Sequence, residues 1–181
     1  MADGSSKLDR ASIEKEEESL KEAFLEYINF YEMPAGVEIR DITEQLLNSR
    51  FVKEPQKQII KRYNRRILVF IYPSDGLAIK GVISFVSDPE NQPLIVCLRG
   101  GYANYFLLNP GNDLMCPDSH ATVVSTMYRG GASEGIDEYG GDDVNDVKNL
   151  MSFIPSLEEK LGLRLQNQGI FLLGGSRGGM Q

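Results

Sequence analysis

The sequence predicts an α/β fold whose sheet is mostly parallel after an initial hairpin and which carries an N-terminal helical extension. Three observations predict it. Apolar residues recur at helical spacing as far as Tyr31, and from Arg66 the pattern changes to strand-like runs. Leu94-Ile95-Val96-Cys97-Leu98 is a short uninterrupted apolar segment, as in a parallel strand covered on both faces. A helical stripe of Val144, Val147, Leu150, Met151 and Ile154 separates two further strand-like segments. Strand, helix, strand implies a right-handed crossover with helices on the sheet faces.

Each element follows from its residues. Ile13, Leu20, Phe24, Tyr27, Ile28 and Tyr31 stand on one face, with Glu and Lys between them, until Pro34 and Gly36 stop the helix. A second, shorter helix is expected from Asp41 through Leu46 and Leu47, and a third around Ile59 and Ile60 before Asn64. Residues 1–64 are read as a helical extension packed on residues 65–181, too short for a separate large domain. Residues 67–72 are β-rich, Pro73-Ser74-Asp75-Gly76 is a turn, and residues 78–86 return as the second strand of a hairpin. The run at Leu94 ends in Arg99-Gly100-Gly101, and a fourth strand over residues 121–128 ends in Arg129-Gly130-Gly131. The helix after it is entered through Asp142 or Asp143, acids suited to a helix N-terminus, and is expected to break at Pro155. A fifth strand, residues 169–173, runs into Gly174-Gly175-Ser176-Arg177-Gly178-Gly179.

Composition narrows the function. The 181 residues are 41% hydrophobic and 25% charged, with a formal net charge of -7, values of a globular chain able to bury a core. No stretch approaches the roughly 20 apolar residues of a membrane span, and the polar N-terminus lacks the pattern of a secretory signal, so a cytoplasmic location is expected. A pI near 4.8 argues against nucleic acid and anionic membranes as partners. Residues 50–66 hold seven basic side chains against Glu54, and residues 113–146 hold eight acids against Arg129. Two solvated faces explain this, and so does a basic helix docked on an acidic surface of the same molecule. Cys97 and Cys116 form no disulfide framework, and a single histidine, His120, excludes a multi-histidine metal site. No metal and no cofactor are expected.

Gly174-Gly175-Ser176-Arg177-Gly178 fits G-x-S-x-G directly after an apolar strand. There the pattern describes a nucleophile elbow: a serine held on a sharp strand-to-helix turn, its hydroxyl raised above the sheet, with neighbouring glycines that avoid Cβ clashes. The Arg177 amide then faces the position of a developing oxyanion. A glycine-rich turn of other purpose is the alternative. The dinucleotide and phosphate-loop patterns do not fit, because Ser176 stands at the third position and no lysine follows. Amides of Gly100, Gly101 and Tyr102, after the third strand, are candidates for the other half of an oxyanion hole, with a plain turn as the alternative.

Residues 72–181 resemble the catalytic domain of the prolyl oligopeptidase and dipeptidyl-peptidase family of α/β-hydrolases. The likeness is carried by residues 72–81 (YPSDGLAIKG), 98–101 (LRGG), 128–147 (YRGGASEGIDEYGGDDVNDV) and 174–180 (GGSRGGM), in that order. The resemblance implies a partial α/β-hydrolase sheet of five strands and attack of Ser176 on a peptide or small ester carbonyl, through an acyl-enzyme that water hydrolyses. Many relatives donate an oxyanion hydrogen bond from a tyrosine at the position of Arg99, so amides must serve here. In such a fold the acid and histidine follow the serine, beyond strands these residues do not contain. His120 precedes the fourth strand, at the edge opposite the elbow.

The expectation is therefore the front half of a hydrolase, truncated or split, inactive or nearly so by itself. A catalytically dead interaction module and an enzyme completed by a second chain are the alternatives. The exposed fifth strand offers either a complementing chain or a second copy an edge to pair with.

Overall fold

The computed structural model describes residues 10–101 and 121–181. Four helices and six strands follow in the order α1 (Arg10–Phe30), β1 (Ile39–Asp41), α2 (Thr43–Asn48), α3 (Glu54–Arg62), β2 (Arg66–Ser74), β3 (Leu77–Phe85), β4 (Leu94–Leu98), β5 (Thr122–Thr126), α4 (Asp143–Leu161) and β6 (Ile170–Gly174). They build one sheet in the order β1-β2-β3-β5-β4-β6. The first three strands form an antiparallel meander, β3 joins β5 antiparallel, and β5, β4 and β6 run parallel. The crossover that a strand, helix, strand order implies is made by β5, α4 and β6, with β4 lying between the two strands.

Alternation along β2 divides the core in two. Leu68, Phe70 and Tyr72 point to one face, where Val147, Leu150, Ile154 and Leu157 of α4 cover them. Ile67 and Val69 point to the other, against Phe30, Tyr31, Ile42, Leu46 and Ile60 of the N-terminal segment. Each fully buried side chain of this size stabilises the fold by roughly 1.5–3 kcal/mol. Of the expected α1 stripe, Ile13, Leu20 and Phe24 lie outside the described side chains, and Tyr31 is fully buried.

Two local expectations are corrected, and a third, the entry of α4 through Asp142 and Asp143, is met in position. The segment before Arg66 is not only helical: Asp41, expected to open a helix, ends the short strand β1, which pairs with residues 68–70 of β2. Its carboxylate accepts the Thr43 N–H at 2.9 Å, so the acid caps α2 from outside it. Pro155 does not break α4, which continues to Leu161. The proline is exposed while Ile154 and Leu157 beside it are fully buried, and their packing outweighs the roughly 3 kcal/mol that an interior proline costs. Asp142 makes no capping hydrogen bond at the start of α4.

The basic and acidic stretches do not dock on each other through their described ion pairs. Arg50 pairs with Glu22 and Arg66 with Asp41, whereas Arg129 and Arg177 take the acids of the later loop. Buried Arg65 donates to Ala121 O at 2.8 Å and to Ser84 Oγ at 3.1 Å.

β6 lies at the sheet edge beyond both covering layers. Phe171 and Leu172 are 57% and 60% exposed, and Ile170 and Leu173 are exposed as well. A flat apolar edge without lysine, proline or bulge is a template for pairing with another chain. The 181-residue chain is expected to self-associate in a concentration series followed by light scattering, and Leu172→Lys to shift it towards monomer. A monomeric unmodified chain at every concentration would contradict this.

Candidate active site

The site is built at the carboxyl ends of β4 and β6, which are neighbours and parallel. Ser176 leaves β6 with φ +54°, in the left-handed region that a non-glycine residue adopts only when its surroundings impose it, and the residue is exposed. The serine thus stands on a sharp turn at the end of a parallel strand. The turn is closed by Gly178: a Cβ there would stand 1.9 Å from Leu98 O, so only glycine lets the chain pass the end of β4 so closely. Residues Ser176–Gly179 form a single 3-10 turn, shorter than the helix expected after the serine.

The loop after β4 meets this elbow. A Cβ on Gly100 would lie 3.2 Å from Ser176 Cβ and 3.7 Å from its Oγ, so the backbone of Gly100 flanks the hydroxyl directly. Gly101 follows, and its carbonyl accepts the Arg177 Nη1–H at 2.9 Å. Of the residues singled out in the sequence, Ser176, Arg177, Gly100 and Gly101 thus come together. Tyr102, Cys116 and His120 lie outside the described residues. Arg99 does not replace the tyrosine hydroxyl of the resembling family. It is 4% exposed, and its guanidinium donates to Met127 O at 2.8 Å and to Gly100 O at 3.2 Å.

Sequence reading used only the amide of Arg177, yet its side chain organises the site. The guanidinium is completely buried and forms a bidentate pair with Asp137, at 2.7 and 2.8 Å, and a second pair with Asp143. Burial alone would lower its pKa, but the hydrogen bonds to the two carboxylates raise it above the ordinary arginine value. Asp143 also accepts the Gly140 N–H at 3.0 Å. One available signal was an acid-rich loop paired with a single arginine of its own and followed by a second arginine in the elbow. Arg129 shows the same logic one turn away. Hydrogen bonds to buried Asp146, at 2.9 Å, and to Asp75, at 2.7 Å, raise its pKa and tie the β2–β3 turn to α4. The carboxylates are thereby engaged with arginines, and among the described residues none of the acids gathers into a cluster able to hold a metal ion.

Tyr128 lies under the site, fully buried. Burial pushes its hydroxyl up to about 12, against a lowering by Arg99 and Arg177. The raised value favours the neutral phenol in the folded chain. Its contribution to stability is therefore complete below the ordinary value of 10.0 and is lost as pH rises towards 12. Tyr72 is raised by burial in the same sense. Burial raises Tyr27 too, so alkaline titration of phenolate absorbance is expected to show late-ionising tyrosines, with Tyr72 and Tyr128 among them, in step with loss of stability. Eight tyrosines ionising together in the folded chain would contradict this.

The sheet order and the elbow at the end of a parallel strand define a partial α/β-hydrolase fold. Solved structures of the esterase Est22 share it. One, at 15% identity, matches with a TM-score of 0.51 over 82% of this chain and 50% of Est22. Another, with p-nitrophenol, gives 0.51 at 16% identity, over 83% of this chain and 50% of Est22. The sequence is 25% identical over 116 residues to the uncharacterized peptidase YtmA of Bacillus subtilis strain 168. That match covers 64% of this chain and 43% of the relative, so the chain spans about half the length of the proteins it resembles. No family model matches the sequence. No described helix is long and apolar enough to cross a membrane.

Proposed function

We propose that these residues form the nucleophile half of a serine hydrolase that cleaves peptide or ester bonds through an acyl-enzyme on Ser176. The observation that carries the reading is the exposed serine at φ +54° with the Gly100 backbone against its side chain. Ser176 Oγ attacks the carbonyl carbon and its proton passes to a base. The oxyanion is stabilised by amides of Arg177 on one side and of Gly100 and Gly101 on the other. Collapse expels the amine or alcohol with a proton, and water then releases the acid and restores the hydroxyl.

The motifs of the prolyl oligopeptidase and dipeptidyl-peptidase family, and a relative named a peptidase, support peptide bonds as the substrate class. The base and its acid are assigned to polypeptide outside these 181 residues. A cytoplasmic location belongs to the same reading.

A fluorophosphonate probe with mass mapping of the labelled residue tests this. Labelling is expected at Ser176 and lost in Ser176→Ala, slow in the chain alone and faster once the polypeptide that supplies the base is added. Equal labelling of Ser176→Ala would remove the nucleophile assignment. Fast labelling of the chain alone would place the base within it. No labelling under any condition would favour a dead interaction module.

A further inference from the structure

Beside the residues that flank the proposed nucleophile, four side chains are linked by cation–π contacts. The Arg99 guanidinium lies 4.9 Å from the centre of the Tyr128 ring, and the Arg177 guanidinium lies 4.6 Å from it. Arg177 also stands 5.1 Å from the Tyr139 ring. The order is Arg99, Tyr128, Arg177, Tyr139. Arg99 directly precedes Gly100 and Arg177 directly follows Ser176, so the two backbone segments that meet at the site are each attached to one member of the set.

The backbone supports the same grouping. Among the described residues five non-glycine positions have positive φ, and three of them are Tyr128 and Tyr139, both at +57°, and Ser176 at +54°. Such conformations persist where surrounding contacts over-determine them. Arg99, Tyr128 and Arg177 are each under 5% exposed, and desolvated cation–π contacts are the strong ones. The Tyr128 hydroxyl turns away from solvent and donates to Arg99 O at 3.4 Å. The ring, rather than the hydroxyl, faces both guanidiniums.

We propose that Tyr128 is a positioning residue whose ring couples the loop carrying the Gly100 amide to the elbow carrying Ser176. This rests on the reading of Ser176 as nucleophile. A relative shift of about 1 Å between nucleophile and oxyanion donors costs about 100-fold in rate, which gives a rigid coupling between them a function.

Peptide-resolved hydrogen exchange on the full 181-residue chain tests it without needing turnover. Tyr128→Leu is expected to speed exchange about tenfold or more in residues 98–101 and 174–179 together, while the β2–β3 hairpin keeps its protection. Tyr128→Phe, which keeps the ring, is expected to restore both segments. Arg99→Lys keeps the charge but loses the planar face, and serves if Tyr128→Leu does not fold. It too is expected to loosen residues 174–179, which its side chain reaches through Tyr128.

A rise in only one of the two segments, an equal rise across the hairpin, or a Tyr128→Phe chain as loose as Tyr128→Leu would overturn the proposal. The hydrolase reading fails separately, on the Ser176→Ala labelling control, whatever the exchange shows. Coupled exchange would stand even then.

Discussion

Gly178→Ala is expected to abolish cooperative folding or to lower the melting temperature drastically. The added Cβ would stand 1.9 Å from Leu98 O and 2.5 Å from Leu98 C, both backbone atoms of β4. No rotamer relieves that contact. β4 is held by β5 on one side and β6 on the other, so relief requires the elbow to lift or two strand pairings to part. A clash of this kind belongs to the exceptional range above about 4 kcal/mol, against a total stability of about 5–15 kcal/mol for an ordinary domain. Gly175→Ala is the control: its Cβ would meet nothing within 4 Å, and its backbone is extended at φ -124°. That variant is expected to stay within about 0.5 kcal/mol of the parent in thermal and denaturant melts. Equal melting of the two variants would mean that the elbow does not press on β4 as described.

Arg177→Met is expected to cost about 3–5 kcal/mol, the penalty for breaking a buried ion pair by removing one partner. Methionine approximates the length of the aliphatic stem but leaves Asp137 and Asp143 without their counter-charge, at 5% and 0% exposure. The damage therefore lies mainly in what remains. Neutralising both acids in Arg177→Met/Asp137→Asn/Asp143→Asn is expected to recover most of the loss, because amides tolerate burial with far weaker partners. Denaturant midpoints of the single and triple variants decide it. A triple variant no more stable than Arg177→Met would show that the arginine acts through its ring contacts and the Gly101 carbonyl instead.

Much of the fold was legible because its signals are local. The run at Leu94, the hairpin around Asp75-Gly76 and the G-x-S-x-G after an apolar strand each declare themselves within a few residues. The three residues of β1 are too few to show a period, and they become a strand only by pairing with Leu68, Val69 and Phe70, some 30 positions later. Pro155 misleads for the same reason: its local cost is real, but the burial of Ile154 and Leu157 is a tertiary fact. At the site, Ser176 and Gly100 could be found from motif order. The role of the Arg177 side chain was signalled only by the charge balance of the acid-rich loop, which does not single out its partners, since Asp143 and Asp137 lie 34 and 40 positions upstream and read equally well as a helix cap and a solvated acid.

The bare position of β6 also bears on how the serine is held. Among the described elements the strand is joined to the sheet through β4 alone, with no helix on either of its faces. Its far end is held to β4 by the Leu94 N–H donating to Gly169 O at 3.1 Å, whereas its near end is also fastened through Arg177 to Asp137 and Asp143, outside the sheet. Ser176 is thus held from the loop side as well as by the sheet, so the residue proposed as nucleophile is fixed by an ion pair that the strand itself does not contain.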